Sequence, residues 1–299
     1  MSTRNYNTIS PSARALLLLK GYTPIPYARQ AAELIQAPDP YVPNYADHPP
    51  GFWARVMHFE ARYSSINQLL ADILPPAADL ATAALNILEL SSGFSFRGLA
   101  FAADRPVYYI DTDLPEVIAT KQPLVDALVA GPPFPLGHYE LRALNALDED
   151  AFNAVIDSFP PGKLIIVNEG LLMYLNKEEK QRLGALIRKA LLKRGGFWIT
   201  ADIYLNRKQR REEPELAKGD TLKEFLERHN VDANMFNSFE EATQLFTEMG
   251  FTLDKESVPD YTSLSALPHF LSSASPELLQ RLRQSPTKIH ATWRLKPKT

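Results

Sequence analysis

The sequence predicts an α/β fold, a parallel doubly wound sheet preceded by a helical region. Three observations carry that expectation. From residue 85 onward, short apolar runs of strand length alternate with amphipathic segments. Helix-start signals fall between those runs. Before about residue 75, by contrast, the apolar residues recur at helical spacing. Strands that alternate with helices pair in parallel through right-handed crossovers, which gives a sheet covered on both faces.

The helical region comes first. In "ARVMHFEARYSSINQLLADIL", Val56, Phe59, Tyr63, Ile66, Leu69 and Leu70 line one face of a helix. The proline-rich stretch "APDPYVPNYADHPPG" before it reads as a loop. The strand candidates follow in order: "LNILEL" (85–90), "PVYYID" (106–111), "HYELRAL" (138–144), "KLIIVN" (163–168) and "GFWITADI" (196–203), with "FTLDKESV" and "KIHATWRL" later. Pro115 sits where a first helical residue is expected. Asn176 and Glu179 have capping-box spacing, and Ser238 with Glu241 opens another helix that Gly250 ends. The polar segment after the fifth strand, from about 204 to 237, reads as a helical insertion, either a solvated connection or a cover over the site.

Composition narrows the function. The 299 residues include no cysteine, which removes disulfides, thiolate metal sites and a cysteine nucleophile and fits a cytoplasmic protein. Six histidines are scattered without ligand spacing, so no metal is expected. The net charge is −3, with both signs interspersed and no basic stripe, which argues against nucleic acid as a partner. The one apolar run near the N-terminus, Ala15 to Leu19, is too short for a signal h-region or a membrane span, so no membrane association is expected.

The stretch "ELSSGFSFRG" (89–98) joins the first strand to the next helix. It is not a nucleophile elbow, because the second glycine of G-x-S-x-G is replaced by Arg97. It does not match the dinucleotide fingerprint, whose three glycine positions hold Ser91, Gly93 and Phe96. It does align with a methyl-donor loop of the form (D/E)-x-G-x-G-x-G, with Glu89 as the acid and Ser91, Gly93 and Ser95 as small residues. A plain strand-to-helix turn tolerates the same residues. The second strand adds Asp111 and Asp113, the latter 20 residues after Gly93, where a carboxylate accepts from ribose hydroxyls. Both acids also suit simple helix capping.

Taken in order, "GFWARV", "ILELSSGFSFR", "YYIDTDLPEVIATK" and "VNEGLLMYL" resemble the leucine carboxyl methyltransferases and their bacterial relatives, the carboxyl methyltransferases of polyketides included. The likeness runs from about residue 12 to 205. It implies a class I methyltransferase dependent on S-adenosylmethionine (SAM), with sheet order 3-2-1-4-5-7-6, strand seven antiparallel, and one domain over 1–299 (a helical cap over 1–80, an α/β core over 81–299). It implies that Arg55 and Arg14 bind the donor's methionine carboxylate. Glu89, Ser91 and Gly93 would line the donor loop, Asp113 would hold the ribose, Asn145 would lie near the adenine, and Glu169 would face the methionine moiety. The sequence departs from the family where serines replace a glycine and the aspartate of the loop, and where Asn145 stands for an aspartate.

The expected reaction is methyl transfer to an oxygen of a small molecule or peptide, a carboxylate for preference. A carboxylate is already ionised at neutral pH and needs no general base, and no histidine falls in the matched segments. Tyr22 and Tyr174 are the candidates for orienting the acceptor. The rival readings are an NAD(P)-dependent oxidoreductase and a SAM-binding protein without catalysis.

Overall fold

In the computed structural model, the described residues are 10–46, 48–74, 85–129, 136–206, 231–284 and 288–299. Most of the expected insertion, residues 207–230, lies outside them. Three helices precede the sheet: α1 (Ser10–Lys20), α2 (Ala28–Gln36) and α3 (Pro50–Ala71). The alternating part then runs β1 (Leu85–Leu90), α4 (Arg97–Asp104), β2 (Val107–Asp113), α5 (Pro115–Leu128), β3 (His138–Ala143), α6 (Glu149–Ser158), β4 (Leu164–Asn168), α7 (Lys177–Arg194) and β5 (Gly196–Tyr204). It closes with α8 (Phe239–Glu248), β6 (Phe251–Ser257), α9 (Leu267–Ser273), α10 (Pro276–Gln284) and β7 (His290–Pro297).

The seven strands form one sheet in the order β3-β2-β1-β4-β5-β7-β6. The first five pair in parallel, and β7 runs antiparallel to both β5 and β6. This is the order expected from the sequence. The central strands β1 and β4 are buried along their whole length, which is why they read as mainly apolar runs rather than alternating ones. One face packs Phe152, Leu183, Ile187 and Phe246 against Ile166 and Trp198. The other packs Ile66, Leu69 and Phe101 against Ile87, Tyr109, Ile165 and Ile199. A third cluster, with Leu17, Ala31, Phe96 and Leu124, joins α1 and α2 to α4 and α5.

The local signals act as their chemistry dictates. Asn176 and Glu179 form a reciprocal capping box on α7, and Ser238 accepts the Glu241 N–H at the start of α8. Pro115 occupies the first turn of α5. Between Thr200 and Ile203, β5 carries one more residue than β7 opposite it. Such a bulge re-aims the side chains and carbonyls around it; here those belong to Ala201 and Asp202.

The turn from α7 into β5 contains two glycines at positive φ, Gly195 (69°) and Gly196 (119°). A Cβ on Gly195 meets nothing within 4 Å, whereas one on Gly196 runs into the Leu164 carbonyl oxygen of the neighbouring strand. At Gly195 the φ of 69° goes with a ψ of 165°, a backbone region nearly confined to glycine, so Gly195→Ala should cost roughly 1–3 kcal/mol from the backbone alone. Gly196→Ala should cost clearly more, because β4 must move as well. Urea denaturation of the two variants checks the order, and equal losses would show that the Leu164 contact does not matter.

Candidate functional site

The carboxyl ends of β1, β2, β4 and β5 come together beneath α1, α3 and α4, and nearly every buried charge near them is paired. Glu169 directly follows β4. Its carboxylate accepts from Lys20 on α1 (3.0 Å) and Arg97 on α4 (2.8 Å), with Arg62 of α3 at 3.6 Å. Burial alone raises a carboxyl pKa, but these three cations outweigh it and hold Glu169 at about 2. Burial lowers the Lys20 ammonium, with Glu169 opposing.

Arg97 is fully buried in the first turn of α4. It stacks on the Tyr63 ring (4.1 Å) and donates to the Tyr63 carbonyl (3.0 Å) and to Asn67. Its Nε lies 3.5 Å from Glu89, the acid in β1. Burial raises the Glu89 pKa, Arg97 opposes, and Tyr109 donates to the same carboxylate. Arg97 thus ties the acid of β1 to the acid after β4. Asp202, in the bulge of β5, accepts the backbone N–H groups of Gly170 (2.6 Å), Leu171 (2.7 Å) and Leu172 (3.0 Å), so it holds the turn that presents Glu169.

The loop after β1 is built on backbone conformations that favour glycine. Ser91 has φ 51° and Gly93 φ 52°. Serine at that position carries the left-handed strain that a glycine avoids. Asp113, at the tip of β2, fixes the loop by accepting the Gly93 N–H (2.7 Å) on one oxygen and the Leu114 N–H (2.7 Å) on the other. Burial raises the Asp113 pKa, the two N–H groups opposing. Asp111, two residues earlier on the same face, is committed elsewhere: Lys121 (2.8 Å) and Tyr139 (2.8 Å) both donate to it, and Lys121 also reaches Ser92 (3.0 Å).

Of the residues singled out in the sequence, Glu89, Ser91, Gly93, Asp113 and Glu169 converge on these strand ends. Asn145 lies just beyond β3, beside β2, where its side chain accepts the Leu147 N–H (3.1 Å). Tyr174 is buried nearby, its hydroxyl 3.4 Å from Ser12. Tyr22 packs in an aromatic group with Phe52 and Trp53.

The two arginines expected at the donor's carboxylate lie apart from the charge cluster around Glu169. Arg14 is exposed and turned to the end of α2, donating to the Ile35 carbonyl (3.1 Å) and to Gln36 (2.6 Å). Lys20, six residues on at about 100° each, lies on a different face of α1 and is the residue of that helix that reaches Glu169. Arg55 is half-buried on the same face of α3 as Arg62, but seven residues, about 10 Å, earlier along the helix. Lys20, Arg62, Arg97 and Asp202 belong to this charge cluster and were not singled out in the sequence. Among the described residues, no group of three or more acids and histidines is placed to hold a metal ion, and no helix is long and apolar enough to cross a membrane.

No family profile and no curated protein matches the sequence. Solved structures do. The mitomycin 7-O-methyltransferase MmcR matches at 13% identity over 81% of this chain and 54% of its own, with a TM-score of 0.45. LepI in complex with SAM matches at 10% identity over 74% of this chain and 45% of its own (TM-score 0.44). Magnesium protoporphyrin IX methyltransferase (ChlM) from Synechocystis PCC 6803, with bound SAH, matches at 10% identity over 82% of this chain and 85% of its own (TM-score 0.42). The chain spans about half the length of the first two.

Stability at this site has a defined acid dependence. His290, at the start of β7, is half-buried and donates from Nε2 to the Ala201 carbonyl (2.7 Å). Burial, with Arg62 nearby, lowers its pKa to about 3 from an unfolded value near 6.5. The folded state thus favours the neutral ring, and that contribution is complete above about pH 6.5 and lost as the pH falls towards 3. The contribution of Glu169, depressed to about 2, is complete above about pH 4.5 and lost only below that. Unfolding free energy measured in urea should therefore begin to fall between pH 6.5 and 5, and steepen below 4.5. His290→Gln should flatten the first limb and leave the second. An unchanged first limb would assign it to other histidines.

Proposed function

We propose that this chain is a SAM-dependent methyltransferase that transfers the methyl group to an oxygen. The observation that carries the reading is Asp113, a buried carboxylate at the tip of β2 that grips the β1 loop through the Gly93 N–H, in a sheet of order 3-2-1-4-5-7-6. A ligand with a vicinal diol, a zwitterionic amino-acid end and a cation suits the residues gathered there. Asp113 has lone pairs beyond those taken by the two N–H groups, as a ribose diol requires. Glu169 would face the ammonium of such a ligand, while Lys20 and Arg62 would supply charge-assisted donors for its carboxylate. Arg62 Nε is buried there without a hydrogen-bond partner among the described residues. Buried groups of that kind are normally satisfied, so a polar ligand end fits the cluster.

SAM, when bound, would supply the methyl group on a sulfonium. The chain's own work is then to hold the donor, exclude water and align an oxygen with the methyl carbon. The order of the strands alone suits a nicotinamide cofactor as well, but Ser91 and Phe96 replace two glycines of that fingerprint. The sequence likeness to carboxyl methyltransferases makes a small-molecule or peptide carboxylate one acceptor class; the other is a hydroxyl.

The test is binding of S-adenosylhomocysteine, the demethylated product. At 100 times its dissociation constant it should add about 2.7 kcal/mol to stability, read as a raised melting temperature, while NADH adds none. Loss of a charge-assisted hydrogen bond costs about 1.5–3 kcal/mol. Asp113→Ala and Arg62→Ala should therefore weaken binding roughly tenfold to a hundredfold by calorimetry, and Arg14→Ala should leave it close to wild type. Stabilisation by NADH and not by S-adenosylhomocysteine would reject the assignment.

A further inference from the structure

The bulge in β5 acts beyond the sheet edge. On a regular strand, residues two apart share a face. Ala201 packs with Ile199 and with Ile66 and Leu69 of α3, yet Ile203 packs with Trp198 on the opposite face. The alternation therefore switches between Ala201 and Ile203, and Asp202 is the residue at the switch. Its buried carboxylate turns along the sheet to the end of β4.

Four of the five residues from 168 to 172 donate to that carboxylate. Asn168 gives a side-chain N–H (2.6 Å), while Gly170 (2.6 Å), Leu171 (2.7 Å) and Leu172 (3.0 Å) give backbone N–H groups. Asn168 is itself fixed, since it also donates to Thr200 (2.9 Å) and accepts from Trp198 Nε1 (2.6 Å). Successive N–H groups curled about one anion form a nest. Gly170, at φ 85°, has the left-handed backbone that lets the chain curl this way. Glu169 is the fifth residue, and its side chain extends instead to Lys20 and Arg97. Asp202 also bears on Arg62, one guanidinium nitrogen of which lies 3.8 Å from Asp202 and 3.6 Å from Glu169. One carboxylate thus sets both an acid and a cation of the cluster.

Building on the methyltransferase reading, we propose that Asp202 is a positioning residue for the amino-acid end of the donor and for that end alone. It acts through Glu169, whose turn it holds, and through Arg62, which it shares with Glu169. Asp113, which would hold the ribose, lies on β2, three strand spacings or about 14 Å from β5. In Asp202→Asn, the amide has one accepting oxygen, and its NH₂ only donates. With the oxygen kept toward Leu171 and Leu172, the NH₂ meets the Gly170 N–H and the Arg62 guanidinium, donor against donor. The turn must then shift, and Glu169 and Arg62 shift with it.

The test compares S-adenosylhomocysteine with 5′-methylthioadenosine, which keeps the nucleoside and the thioether but has neither the ammonium nor the carboxylate. Calorimetry reads the first, and ligand-observed NMR reads the second. Asp202→Asn should weaken S-adenosylhomocysteine roughly tenfold to a hundredfold, the worth of one charge-assisted hydrogen bond. It should leave 5′-methylthioadenosine within about twofold, as for groups that share no partner. Gly170→Ala strains the same turn from its other side, where a Cβ lies 3.4 Å from the Arg62 guanidinium. It should show the same one-sided loss, and it carries the test if Asp202→Asn does not fold. Gly195→Ala, which destabilises the start of β5 away from the cluster, should leave both affinities unchanged.

An S-adenosylhomocysteine affinity unchanged in Asp202→Asn, or equal losses of the two ligands, would overturn the positioning role. If the wild type takes no 5′-methylthioadenosine, Gly195→Ala must keep the S-adenosylhomocysteine affinity that Asp202→Asn loses, and a shared loss overturns the role. Wild type that does not bind S-adenosylhomocysteine rejects the methyltransferase reading, and this role falls with it. In every other outcome that reading stands whatever becomes of Asp202.

Discussion

The carboxylate of Glu169 holds the architecture of the site together. It sits at the end of a fully buried strand, where an unpaired charge is prohibitive. Its partners come from three separate elements, Lys20 from α1, Arg62 from α3 and Arg97 from α4. The helices before the sheet are thereby fixed over the carboxyl ends of the strands by charge as well as by the apolar cluster around Leu17 and Phe96. Arg97 carries the constraint onward to Glu89, and Asp202 carries it back to the turn that presents Glu169. Removing one partner leaves the others buried and uncompensated, which makes this network costly to vary in parts.

The arrangement of acids along β2 shows how one strand serves two purposes. Asp111 and Asp113 share a face, and only position along the strand separates them. Asp111, one pleat deeper, meets Lys121 and Tyr139 and becomes part of the packing between α5, β2 and β3. Asp113, at the tip, meets the backbone of the β1 loop. A loop held by a side chain from the adjacent strand keeps its shape although Ser91 occupies a position that suits glycine.

The fold was legible because burial writes itself into the sequence directly. The dense, non-alternating apolar residues of "LNILEL" and "KLIIVN" suit central strands buried on both faces, and the capping residues of α7 and α8 announce themselves at fixed spacing. The acids of the site were legible for the same reason: Glu89 and Glu169 interrupt or end apolar runs. The cations were not. An arginine on a helix shows no sign in sequence of whether it faces solvent or the sheet. Arg55 and Arg62 share a face of α3, and only their distance from the strand ends, two turns apart, decides which is buried. Lys20 looks like an ordinary basic residue in the last turn of α1. The contact between His58 and Tyr204 spans 146 residues, so no local pattern marks it.

The sheet order also bears on how the chain reaches this state. β7 is the last strand in sequence, yet it lies between β5 and β6. The five parallel strands can pair as they emerge, but β6 has no neighbour in the sheet until β7 enters beside it. Until then the edge of β5, with Ala201, Asp202 and Tyr204, is an open row of backbone donors and acceptors, a surface prone to wrong pairing. The half of the site nearest β1 can thus form from consecutive segments, while the half that includes His290 waits for the most distant contacts in the chain.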